Sequence, residues 1–214
     1  MPPIALIILL GLLAATAGAE TVVVDRAGLR LVGELRQGAL LTGKVRPEAR
    51  VVFAGRPVRT GPQGGFVVGL GRQAPPRVPL AWTEPGGAFH LRMLEVAQRH
   101  YGVQRIDGLP GRLVHPDQAA LQRIRREQER VEAARRRFSP LSAYRQGFDW
   151  PLTGPVTGVY GIRRVLNGEP RQPHYGVDIA VPTGTVIRAP AGGVVRLTAK
   201  DLYFSGGTLI LDHG

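Results

Sequence analysis

Short runs of β-forming residues, each closed by glycine or proline, fill the first half of this 214-residue chain. The runs are 21–24, 29–32, 40–45, 50–53, 57–59, 66–70 and 89–94, and Gly38, Gly55, Pro62 to Gly65 and Glu84 to Gly87 mark turns between them. Proline and glycine at these intervals stop any helix from running through. Strands spaced roughly 8–12 residues apart with such turns predict a small antiparallel sandwich, placed over 20–108. His90 alternates with Phe89 and Leu91, which puts it on the exposed face of a strand. His90, His100 and His115 lack ligand spacing within one element and are not expected to bind metal. Arg99 and Arg105 are expected to point to solvent.

From Gln118 to Arg137 there is neither glycine nor proline, and Asp117 stands where an N-cap belongs. Leu121, Ile124, Gln128, Val131 and Phe138 follow a three-four spacing, which predicts one helix from Pro116 to Phe138 with a single apolar stripe. Seven arginines surround that stripe against Glu127, Glu129 and Glu132. The helix reads as a packed element with a solvated basic face, or as a spacer whose arginines meet an anionic surface. Ser139-Pro140 ends it, and 109–147 is assigned as connecting helix and linker.

Residues 1–19 carry no charged side chain, hold an apolar run from Ile4 to Leu13, and end Ala17-Gly18-Ala19. This is the pattern of a secretory signal peptide, and it is too short to span a bilayer. An exported chain is expected, periplasmic or in the cell envelope. There is no cysteine, so neither disulfides nor thiol chemistry are available. The formal net charge is +12, and all but Lys44 and Lys200 of the 28 basic residues are arginine. A balance this positive points to an anionic partner, for an exported protein a cell-wall polymer or a membrane surface. With 6% aromatic residues the chain is poor in stacking platforms, and nucleic acid is not expected.

The segment with chemical potential is Pro173-His174-Tyr175-Gly176-Val177-Asp178-Ile179. Its Val, Ile, Gly and Pro content favours extended backbone, in which positions four apart share a face. His174 and Asp178 can then meet at one point, and both are ordinary zinc donors. On spacing alone, a surface loop where the two side chains hydrogen-bond to each other is the simpler reading. Glycines 154, 158 and 161 among strand formers suggest tight antiparallel strands beside a groove. Asn167-Gly168 is a hairpin-type turn.

The surroundings carry a resemblance. Trp150-Pro151, Tyr160-Gly161-Ile162-Arg163, His174 to Ile179, Pro182-Thr183-Gly184-Thr185-Val186, Ala189-Pro190 to Val194 and the strand ending His213-Gly214 follow in one order. This succession resembles the lysostaphin-type (LytM-like) zinc metallopeptidases, which cut peptide bonds in bacterial peptidoglycan. The resemblance implies a zinc peptidase domain over 148–214, of antiparallel sheet, with His174 and Asp178 as zinc ligands. Tyr160, Arg163, Asn167 and His213 would line the substrate groove. The family's third zinc ligand and its catalytic histidines lie in segments past the H-G, so no catalytic residue is expected up to Gly214. The 214 residues are read as part of a longer protein and are expected to be inactive alone. The Q-G-x-L-x-x-G-x-V pattern from Gln37 to Val45 resembles the immunoglobulin-like domain often placed before such peptidases. The competing function is a catalytically inactive cell-wall-binding regulator of another hydrolase.

Overall fold

The computed structural model describes residues 22–24, 27–111 and 115–214; the signal peptide expected over 1–19 lies outside them. The chain is mainly β. Two four-stranded antiparallel sheets come first. One has the order β1 (Val22–Val24), β2 (Arg30–Val32), β3 (Leu40–Lys44), β6 (Gly65–Gly69). The other has the order β5 (Arg56–Val58), β4 (Arg50–Phe53), β7 (Arg77–Thr83), β8 (Phe89–Glu95). Leu31, Leu41, Phe66 and Val68 from the first and Val51, Val78, Leu80, Trp82 and Leu94 from the second form one buried cluster. Alternating burial along β7, from Val78 through Leu80 to Trp82, is the period-two pattern that commits one strand face to a core.

Strand β7 is absent from the runs read in the sequence, and it carries Pro79 within it. Proline is tolerated in this inner strand for a local reason. Strand β4 stops at Phe53, and beyond it the Ala54 N–H donates to the Pro79 carbonyl at 2.9 Å. The nitrogen of Pro79 therefore faces the end of β4, where the chain turns into β5, and no ladder bond is lost.

His90 corrects the sequence reading. It lies directly across from Trp82 on the half-buried face, stacked on the indole with centroids 5.0 Å apart, and its Nε2 meets Glu84 Oε1 at 3.1 Å. Phe89 and Leu91, not His90, face solvent, at 66% and 59% exposure. Arg99 is also tied down: its guanidinium lies over the Tyr101 ring and its backbone N–H donates to Gln37 Oε1 at 3.0 Å. Arg105 is exposed as expected.

Strand β9 (Val103–Ile106) falls within the stretch assigned to the first unit, yet it pairs in parallel with β11 (Arg163–Leu166). β11 also pairs antiparallel with β12 (Glu169–Pro173), so this three-stranded sheet is mixed rather than purely antiparallel. The remaining strands form two small antiparallel pairs. These are β10 (Val156–Gly158) with β13 (Asp178–Ile179), and β14 (Val194–Leu202) with β15 (Gly206–Asp212).

Between the two groups runs helix α1 (Gln118–Arg136). Asp117 caps it as expected, its carboxylate accepting from the Ala120 N–H at 2.8 Å. Arg135 and Arg136 occupy the last turn, where cations complement the helix dipole. The buried side chains are Ile124 and Ala134, and α1 packs against the β14–β15 hairpin, whose Leu202 is also buried. The helix ends two residues sooner than expected. Arg137 is already extended, and Phe138 lies outside the stripe beneath the Arg59 guanidinium, 4.4 Å from its ring centroid. Pro140 disfavours helical backbone at Ser139, and the helix unwinds ahead of it. No described helix is long and apolar enough to cross a membrane.

Candidate functional site

His174 and Asp178 do converge. His174 Nε2 lies 3.0 Å from Asp178 Oδ1, with the imidazole 17% and the carboxylate 45% exposed. The route differs from simple alternation along one strand. His174 follows the last residue of β12, Asp178 opens β13, and the chain bends at Gly176 between them. The histidine end is held by the backbone: its N–H donates to the Ile162 carbonyl at 2.8 Å, and its carbonyl accepts from the Gly161 N–H at 2.7 Å. The aspartate end is held by β10 across the Gly158–Asp178 pairing. Any side chain at 158 would collide with the Asp178 carboxylate, so the close approach depends on glycine there.

Two further contacts define the pair. His174 Nδ1 faces the Val159 carbonyl at 3.3 Å, and Asp178 Oδ2 accepts from Arg164 on β11 at 2.7 Å. Both imidazole nitrogens thus face oxygens. The donor separation of 3.0 Å is a few tenths of an ångström short of the roughly 3.3–3.6 Å expected for two ligands on one tetrahedral zinc with bonds of about 2.0–2.2 Å. An Nδ1–H held by a carbonyl is the usual outer contact that leaves Nε2 free for metal. These two residues fit two positions of a zinc site. Among the described residues, no group of three or more His, Cys, Asp or Glu side chains could hold a metal ion.

Three of the four expected groove residues are committed to other contacts. Asn167, in the left-handed turn of the β11–β12 hairpin, accepts from the Leu109 N–H at 3.0 Å and donates to the Leu109 carbonyl at 2.8 Å. These bonds fasten the segment after β9, and Asn167 itself stays exposed. His213 Nδ1 faces the Gly192 carbonyl at 2.7 Å, and the ring meets Phe148 edge-on. Tyr160 belongs to an aromatic row: its ring lies 6.4 Å from Tyr101 and 5.9 Å from Tyr175. Arg163 remains exposed, with its backbone N–H on the Gly102 carbonyl at 3.0 Å.

Besides Arg164, the residues that sequence reasoning missed come from the first unit. Arg72, just past β6, donates from Nε to the Gly161 carbonyl at 2.7 Å and lies over the Tyr101 ring, 4.5 Å from its centroid. That ring fills the space where a side chain at Gly161 would go, and Gly161 itself has φ +91°. The backbone loop that positions His174 is therefore clasped by Arg72 and Tyr101. No local pattern in the sequence signals a contact between residues 89 positions apart.

Near the hairpin, Asp212 is paired with Arg196 at 2.8 Å and accepts from the Gly214 N–H at 2.9 Å. Burial pushes its carboxyl up, but the Gly214 and Arg196 hydrogen bonds prevail and hold it below the ordinary carboxylate range. Glu127 on α1 is held low chiefly by the Tyr203 N–H, then by Arg123, which also reaches Asp201 at 2.9 Å. No family model and no curated protein matches this chain.

Proposed function

We propose that the protein is a zinc-dependent endopeptidase of the bacterial envelope, acting on peptide bonds in peptidoglycan, with His174 and Asp178 as two of its metal ligands. The observation that carries the proposal is the convergence of Nε2 and Oδ1 at 3.0 Å, with Nδ1 turned to a carbonyl. It is supported by the motif order around the pair, which resembles lysostaphin-type enzymes, and by the two-sheet unit ahead of it, which fits a wall-targeting module of immunoglobulin-like type. Zinc bound there would polarise a scissile carbonyl and make its water acidic. The chain's own residues supply placement. The Val159 carbonyl orients the imidazole, Arg164 and Gly158 set the carboxylate, and exposed Tyr175 beside Tyr160 offers an aromatic edge to a substrate strand. The arginines on the solvent face of α1, among them Arg125, Arg126 and Arg130, suit an anionic wall polymer or membrane surface.

The test uses full-length protein and purified sacculi. Release of peptides that stops on chelation and is lost in both His174→Ala and Asp178→Ala is the expected result. Full release by either variant sinks the site assignment. A second reading, an inactive wall-binding regulator, is favoured by one contact: the Arg164 guanidinium already pairs with Asp178 Oδ2 at 2.7 Å. Binding to sacculi with no peptide release, unchanged in both variants, would select it.

A further inference from the structure

We infer that Arg164, braced by Gln104, is a positioning residue that fixes the plane of the Asp178 carboxylate so that one oxygen is aimed at His174; the inference rests on the metal reading above. A carboxylate at the end of a single-bonded stem turns broadly about its last torsion, so its plane can take many orientations toward a given neighbour. Here one orientation is fixed. Arg164 takes Oδ2 at 2.7 Å, which leaves Oδ1 toward His174 Nε2 at 3.0 Å. Gly158 lies against the same Oδ2, so the carboxylate is held between a guanidinium and a bare backbone.

The guanidinium is itself fixed from the other side. Its Nε donates to Gln104 Oε1 at 3.3 Å, and Gln104 stands directly opposite Arg164 in the parallel β9–β11 ladder. A contact series thus runs from β9 through β11 to β13 and on to the imidazole. It begins on a strand that precedes the helix and ends at the pair that follows it. The planar fork of arginine can serve two oxygens at once in a fixed relation, which a lysine ammonium on its flexible stem does less well. Hydrogen-bonded partners of this kind, one shell out from the donors, typically change metal affinity 10–100-fold when removed.

An opposing effect makes the sign informative. The guanidinium is a cation next to a cation site, so if it acted only by charge, its removal would tighten metal binding. The experiment is a zinc titration of the full chain against a chromophoric chelator, combined with imidazole nitrogen NMR of His174 in metal-free protein. Arg164→Met, which keeps the stem, is expected to weaken zinc binding 10–100-fold, with Arg164→Lys between it and the parent and Gln104→Ala showing a smaller loss of the same sign. In metal-free Arg164→Met the His174 ring signals are expected to shift and broaden. Zinc binding that is unchanged or tighter in Arg164→Met, or ring signals that superimpose on those of the parent, overturns the inference. If zinc fails to move the His174 signals of the parent protein, the metal reading falls, and the metal-free spectra alone decide the role of Arg164. Should Arg164→Met lose its fold by circular dichroism, Gln104→Ala and Arg164→Lys carry the same comparison.

Discussion

The two groups of strands are held together by different forces. In the first, both sheets turn apolar faces onto one shared core, and Leu41 and Leu80 are completely shielded from water. In the second, from 148 onward, Leu202 is the only buried apolar side chain among the described residues, while Val186, Ile187 and Phe204 are about 70% exposed or more. The small sheets there are placed by polar ties. Arg72 holds Gly161, Asn167 holds Leu109, Arg123 and Glu127 hold the hairpin, and Arg196 holds Asp212. Among the described residues, the contrast is that the His174–Asp178 pair is fastened by polar ties, several of them to elements that precede it.

The sharpest way to break that comparison is to truncate each region in turn. Trp82→Ala, at a side chain 2% exposed, should cost about 3–5 kcal/mol, read as a fall in the denaturant midpoint. Val195→Ala, at 53% exposure, should stay within about 0.5 kcal/mol. Equal losses would show that the second region has a core after all. Next in size, Gly161→Val puts a branched side chain into the Tyr101 ring at a left-handed position. A loss of about 1–3 kcal/mol is expected, together with faster amide exchange at β9 and β11 and little change at β7.

A pH titration separates the regions more gently. Asp212 is held low in the folded chain, so its contribution is fully present above the unfolded carboxyl's range near pH 4 and is lost as pH falls through its depressed folded value. Thermal scans from neutral pH downward should show the hairpin loosening in that acid window before the two-sheet core does, and Asp212→Asn should remove the step. The smallest effect belongs to Glu127→Gln. Glu127 is likewise held low, and the variant should speed exchange at the Tyr203 amide while leaving the Trp82 environment unchanged by fluorescence.

Much of the first region was legible because its strands obey one rule: an apolar residue every second position between turn formers. Leu40 to Val45 shows it, with Leu41 and Val45 buried. The rule failed where its assumption failed. At β8, Phe89 and Leu91 face outward, so choosing the core face by hydrophobicity put His90 on the wrong side. The stretch that forms β7, which carries Pro79, was not read as a strand. The convergence of His174 and Asp178 was visible from their spacing, although a bend at Gly176 produces it. Arg164 on Asp178, and Arg72 on Gly161, were not legible, because their register depends on strands joined far apart in the chain.

That last dependence has a temporal consequence. Gln104 and Arg164 are 60 positions apart, with α1 between them. Parallel pairing over such a span forms slowly, since the loop must close before any ladder bond repays it. Synthesis from the amino end would therefore complete the two four-stranded sheets while β9 still lacked its partner. The imidazole and carboxylate would be brought into register only after the last of β11 to β13 had emerged.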